Sequence, residues 1–164
     1  MDQPLTVQQL IANLHHERVD WEALIAQIDQ ERFTQPGVAG HWSVKDIIAH
    51  ITWFEHEMVG LIKAHALVGS ELWNLPTDDR NAAIYDSLKD QPLEKVLEES
   101  AEVYEELIEV LPTLSDEDLV NPGNFPGMPP DWQPGVIIAQ NTYEHYQQHT
   151  PDLHKWMADS GSGP

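Results

Sequence analysis

The chain has no cysteine in its 164 residues. That absence excludes a disulfide framework, a thiolate metal site and a cysteine nucleophile. Basic residues are scarce, 8 against 28 acidic, for a formal net charge of −20. Such a field repels nucleic acid and anionic lipid, so neither is an expected partner. No run of 18 apolar residues occurs, which argues against a membrane-spanning helix. The opening residues, Met1 to Thr6, lack the basic end and apolar stretch of a secretory signal. The expectation is a cytoplasmic protein. Sustained period-two alternation is also missing, as is any internal repeat, which removes sheet and solenoid classes.

What the chain does have is helical periodicity. Thr6 and Gln9 have the spacing of a capping box, and apolar residues follow at Val7, Leu10, Ile11, Leu14, Trp21, Leu24, Ile25 and Ile28. A first helix is predicted from about Thr6 to Gln30. Ser43 and Asp46 form a second capping signal, followed by Ile47, His50, Ile51, Phe54, Met58, Leu61 and Ile62 on one face. A long connection, Val68 to Asp79, leads to a short helix over Arg80–Leu88. Pro92 is placed as the first residue of a third long helix. Its inward stripe is Leu93, Val96, Leu97, Tyr104, Leu107, Ile108 and Leu111, and its many glutamates read as a solvated face. Residues 121–130 carry four prolines and two glycines and are a loop. Pro134 starts the fourth helix, with a kink expected at Pro151. Residues 1–158 are expected to form one domain, and 159–164 a disordered tail. The prediction is all-α, a four-helix bundle whose long connection between helices 2 and 3 carries a short extra helix.

Nine histidines stand in the chain. Most are ordinary surface residues by position, but three are not. His145 and His149 sit four apart in the fourth helix, on one face and about 6 Å apart along its axis. His50 points inward with the stripe of the second helix. A buried imidazole needs either a hydrogen-bond partner or a metal, and position alone leaves both open. Three convergent imidazoles would leave an open coordination position, the layout of a reactive zinc site rather than a closed structural one.

Trp42-Ser-Val-Lys-Asp-Ile-Ile-Ala-His50-Ile, followed by His145-x-x-x-His149, resembles the DinB/YfiT-like superfamily of four-helix bundles. The resemblance spans roughly residues 6 to 157. It implies that His50, His145 and His149 bind a divalent metal, zinc or nickel, with water or substrate completing the shell. It also implies an activity among metal-dependent hydrolases or thiol-dependent transferases acting on small molecules. Asp79-Arg-Asn81 through Tyr85, with Asn141-Thr-Tyr-Glu-His145-Tyr, looks like the ClbS/DfsB branch, which includes a self-resistance hydrolase. That likeness implies an alternative: a toxin-binding or resistance protein without a catalytic metal. A third possibility is a bundle that pairs with a second copy and holds metal structurally, using His41 or His154 as a fourth ligand. No general base is assigned, since Asp46 is expected to cap its helix and Glu144 to point away from the pair.

Overall fold

In the computed structural model of the protein, residues 3–161 are described. The helices are α1 (Val7–Ala26), α2 (Val44–Ala64), α3 (Thr77–Leu88), α4 (Leu93–Val110), α5 (Pro134–Gln140) and α6 (Tyr143–Gly161). No strand forms among the described residues, and an isolated bridge joins Ala39 to Trp42 ahead of α2. The core is a four-helix bundle of α1, α2, α4 and the α5–α6 unit. α2 packs on α4, α3 and α6, while α1 packs on α6 and α5. The short extra helix α3 lies on the connection between the second and third long helices, as the sequence predicts. No helix is long and apolar enough to cross a membrane among the described residues.

The two predicted capping boxes fix where α1 and α2 begin. Thr6 Oγ1 accepts from the Gln9 amide at 3.1 Å, and Gln9 Oε1 accepts from the Thr6 amide at 3.0 Å. Ser43 Oγ accepts from the Asp46 amide at 3.2 Å, and Asp46 Oδ2 accepts from the Ser43 amide at 2.9 Å. Each set satisfies two amides that the helix start leaves orphaned, contributing about 1 kcal/mol. The α2 box also sets the phase of everything downstream, including His50 less than two turns later.

Five boundaries differ from the sequence prediction. α3 begins at Thr77, three residues ahead of the predicted start at Arg80. α1 ends at Ala26, and a separate 3₁₀ turn occupies Gln30–Arg32. Pro92 is extended, with ψ of 147°, so it caps α4 from outside and Leu93 is the first helical residue. The fourth helix breaks at Asn141–Thr142, while α6 runs on through Pro151. At the break the amides turn to carbonyls three residues back, Thr142 to Ala139 at 3.3 Å and His145 to Thr142 at 3.2 Å. Asn141 Nδ2 donates to the Ile137 carbonyl at 2.8 Å beside the Asn141 amide, and Thr142 Oγ1 takes the Ile138 carbonyl at 2.7 Å, which its own amide has left. Pro151 is tolerated because it and Gln147, whose carbonyl it deprives of a donor, both lie on an exposed face. Finally, residues 159–161 are helical rather than tail; residues 162–164 lie outside the described residues.

The 121–132 segment covers one end of the bundle. Phe125 is buried and stacks on His65, the C-cap of α2, with ring centroids 4.7 Å apart. Asp118 Oδ1 accepts from Asn124 at 2.8 Å, and the Leu67 amide donates to the Pro126 carbonyl at 2.9 Å. Trp132 stays largely exposed. His65 lies about 22 Å of helix beyond His50, so this segment does not wall the histidines.

Candidate metal centre

α2 and α6 pack against each other with their histidine faces turned inward. His50 and His145 are buried, at 4% and 7% relative exposure, and His149 is partly buried. His50 Nε2 lies 3.1 Å from His145 Nε2, which in turn lies 3.1 Å from His149 Nε2. One ligating nitrogen from each of the three falls within 4.8 Å of the others. The three residues named from sequence are therefore brought together across 95 residues of chain. His41 and His154 are not: both are exposed, and His41 packs edge-on against Tyr85.

The walls of this cluster are aromatic. Trp42 lies 5.0 Å from His50, and Phe54 lies 4.9 Å from both His50 and His145, by ring centroids. Behind them, Tyr85 of α3 stacks on Trp42 at 5.8 Å, and Trp73 packs edge-on against Phe54 at 5.4 Å. Trp73 is itself tied down: its indole N–H donates to Glu57 Oε1 at 2.9 Å. Arg80 stacks on its ring at 4.9 Å and donates to the carbonyls of Leu72, Trp73 and Leu75. The Arg80 and Tyr85 positions quoted from sequence thus hold the aromatic wall in place. A cavity of about 10 Å³ beside His50 has room for about one water.

In such surroundings the imidazoles stay neutral. Burial, then the neighbouring rings of His145 and His149, push the His50 pKa down to about 2. Burial, then His149, push that of His145 down to about 3. Burial lowers that of His149 as well. Neutral imidazole is the form that ligates metal.

Hydrogen bonding alone does not satisfy this arrangement. An imidazole nitrogen carries one proton or one lone pair. His145 Nε2 therefore cannot serve both neighbours fully. The Nδ1 atoms of all three rings are buried with no hydrogen-bond partner among the described residues. Two nitrogens bound to one tetrahedral zinc at 2.0–2.1 Å lie about 3.3–3.4 Å apart. The observed 3.1 Å separations are close to that, and the donor set is all imidazole, which suits zinc or nickel. The residues present fit a divalent ion. Asp46 is committed to its cap, receiving the Ser43 amide and hydroxyl at 2.9 Å each, so it does not orient His50.

The family model described as the DinB superfamily matches residues 13–151. The chain belongs to the DinB superfamily. Solved structures agree at the level of fold. An uncharacterised protein from Escherichia coli UTI89 shares 17% identity over 98% of each chain, with a TM-score of 0.78. The sibling lethal factor precursor DfsB shares 17% over 96% of this chain and 98% of its own, at 0.79. The colibactin self-resistance protein ClbS, solved in complex with a dsDNA, shares 16% over 94% and 96%, at 0.75. No curated protein matches the sequence. This DinB-superfamily chain thus has the ClbS/DfsB-type neighbours its sequence suggests.

The sequence reading missed a second buried polar cluster, about one and a half turns from the first along α2. Glu55 of α2 has no solvent exposure, and Arg18 of α1 only 5%. Tyr146 of α6 donates its hydroxyl to Glu55 Oε2 at 2.8 Å and accepts from Arg18 Nη1 at 2.9 Å. Arg18 also donates to Glu22 at 2.8 Å and to Ser100 Oγ of α4 at 3.0 Å. Burial pushes the Glu55 carboxyl up to about 7, against the pull of Arg18 and Tyr146. Burial works against the Arg18 charge too, but Tyr146, Glu55 and Glu22 hold its proton on. A signal was present. Arg18 falls four residues after Leu14 and three before Trp21, in a gap of the apolar stripe. Glu55 falls four from both Ile51 and Val59.

Proposed function

We propose that His50, His145 and His149 together hold one divalent cation, zinc or nickel, and that the protein uses it on a small molecule. Among the activities the resemblance implies, metal-dependent hydrolysis and thiol-dependent transfer are the two we carry forward. The observation that supports the reading is the meeting of the Nε2 atoms of three neutral imidazoles, 3.1 Å from one to the next, with one ligand nitrogen of each within 4.8 Å of the others. An ion bound there supplies Lewis acidity, polarising a substrate oxygen or acidifying a water. The chain's own part is to fix the three rings through α2 and α6, and to keep bulk water off them with Trp42, Phe54 and Trp73.

Elemental analysis of the purified protein tests this. About one divalent ion per chain is expected, falling to background in each of His50→Ala, His145→Ala and His149→Ala. Unchanged content in His145→Ala would rule the site out.

A second reading is a ClbS/DfsB-like protein that binds or disarms a small toxin without a catalytic metal. It is favoured by the overlay on DfsB and ClbS and by a ligand group that, among the described residues, contains imidazoles and no carboxylate. A folded protein that neither carries nor takes up a divalent ion would leave this reading standing. The net charge argues against nucleic acid, but the structurally similar ClbS is solved in complex with a dsDNA, so charge does not exclude it. Duplex DNA belongs in the binding assays beside small molecules. We read the chain further as cytoplasmic and able to pair with a second copy, which sedimentation velocity measures.

A further inference from the structure

One side of the histidine cluster is closed by α3, and α3 is held there unevenly. Ile84, Tyr85 and Leu88, all from its second half, line the small cavity beside His50 and Trp42. That cavity takes about one water, so nothing larger reaches His50 from this side while α3 stays in place. Little apolar burial fastens the helix. Ile84 is its one buried residue, and it lies outside the main cluster of core side chains. Leu88 touches that cluster but stays partly exposed. A segment with so few core contacts opens locally at a lower free energy than the bundle that carries it.

The two ends of α3 are tied differently. At the N-terminal end, Arg80 donates to the carbonyls of Leu72, Trp73 and Leu75 and stacks on the Trp73 ring. That turn is itself anchored to α2, where Glu57 Oε1 accepts from the Ser70 amide at 2.6 Å and from the Trp73 indole at 2.9 Å. At the C-terminal end the tie to α2 is Lys45, whose Nζ donates to the carbonyls of Lys89 and Gln91 at 2.8 and 2.9 Å. The first of these bonds is exposed. One hydrated ammonium on a flexible stem lets go more readily than the multiple anchor at Arg80. We propose that α3 is a hinged lid on the histidine site, pivoting at Arg80 and lifting at Leu88 when Lys45 releases, so that ligands reach His50 between α3 and α2. The half that lifts is the half that covers His50, and its lifting parts Tyr85 from Trp42. This names the entrance to the site of the proposed function, and rests on that reading only for what the entrance serves.

The test is acylation of the metal-free protein by diethyl pyrocarbonate at neutral pH, resolved by residue with mass spectrometry. The reagent takes neutral imidazole and is far larger than one water, so its reaction at His50 reports opening. His50 is expected to react at least about 50-fold more slowly than exposed His154. Lys45→Met cuts the tie and keeps an apolar stem, and Tyr85→Ala removes the stack on Trp42. Each should speed acylation of His50 by at least about 3-fold. Phe125→Leu loosens the far end of the bundle instead and should speed it by less than either. Acceleration under about 3-fold in Lys45→Met or Tyr85→Ala would place the entrance elsewhere, beside partly buried His149, and overturn the lid. An equal acceleration in Phe125→Leu would overturn it too, by showing that His50 is reached through unfolding of the whole bundle. In the zinc-loaded protein, the same two variants should release zinc to a chelator at least about 3-fold faster with little change in equilibrium affinity. A matching loss of affinity would make Lys45 and Tyr85 positioning residues rather than parts of a lid. A protein that takes up no zinc would sink the metal reading, and the acylation rates would still decide the lid.

Discussion

Two buried polar clusters sit within two turns of each other on α2, and they differ in how completely the protein satisfies them. Around Arg18, Glu55, Tyr146 and Ser100, opposite charges meet and nearly every donor finds an acceptor. Only Glu55 Oε1 lacks a hydrogen bond, and it lies 3.8 Å from Arg18 Nη1. Around His50, His145 and His149, three like groups meet, Nε2 to Nε2 at 3.1 Å, and the three Nδ1 atoms have no hydrogen-bond partner among the described residues. The first cluster links α1, α2, α4 and α6 through opposite charges. The second gathers three nitrogens of one kind at one point. Burial and composition do not separate them; the sign and completeness of the pairing do.

The largest way to break the contrast is Arg18→Met. It removes the cation facing Glu55, so that at pH 8 the buried carboxyl must stay charged alone or take up a proton, and it should destabilise the fold there by about 3–5 kcal/mol. Urea unfolding reads this, and a loss under about 1 kcal/mol would mean that Glu55 is solvated some other way. Adding Glu55→Gln should recover part of the loss, as coupled neighbours do.

Next in size, His50→Ala should weaken zinc affinity by about 100-fold, about 2.7 kcal/mol, through loss of one of three ligands. The chelated variant should unfold almost as the chelated parent does. Competition with a chromogenic chelator measures the first effect, and thermal melts with and without zinc measure the second. If the variant instead loses fold stability and keeps zinc, the roles of the clusters are reversed.

Tyr146→Phe removes the hydroxyl shared by Arg18 and Glu55, for about 1–3 kcal/mol, and should leave metal content alone. Tyr146 adjoins His145 in sequence, so this variant separates the clusters where they come nearest along the chain.

The last contrast is in pH, where the two clusters act with opposite signs. The folded-state pKa of Glu55 is raised from 4.5 to about 7, so the folded form binds the extra proton in that window. Its contribution is full below about pH 4.5 and fades as pH rises through 7. The histidine pKa values are lowered from 6.5, to about 2 for His50 and about 3 for His145. Their contribution is full above pH 6.5 and is lost as pH falls toward 3. Stability of chelated Glu55→Gln should therefore fall less between pH 5 and 8 than that of the parent. His145→Ala should flatten the acid side instead. The same lowering moves metal release to more acid pH than the value near 6 expected for ordinary histidines. Half-release at pH 6 or above would show that the rings are better hydrated than they are placed.

Much of this was legible from sequence, for local reasons. The capping boxes at Thr6 and Ser43 are signals of three residues' span, and the stripes of α2 and α4 repeat over several turns. His50 was found because it replaces an apolar residue in such a stripe. Arg18 and Glu55 replace apolar residues in the same way, yet a lone charged residue on a helix reads as surface until its partner is known. The partners are 37 to 128 residues away, so their meeting depends on packing that periodicity does not encode. The helix break was misplaced for a related reason. Proline is an obvious breaker, but Pro151 lies where water can serve the freed carbonyl. The break falls instead at Asn141–Thr142, where the amides of Thr142 and His145 turn to carbonyls three residues back, a change that no breaker residue announces.

That break at Asn141–Thr142 has a mechanical result. In one continuous helix, each residue inserted upstream would swing the faces ahead of and behind it by about 100° relative to one another. Here α5 and α6 are geared separately. Length changes in the proline-rich approach and in α5 can be taken up at the joint, while the rotational setting of His145 and His149 against α2 stays locked by the packing of α6.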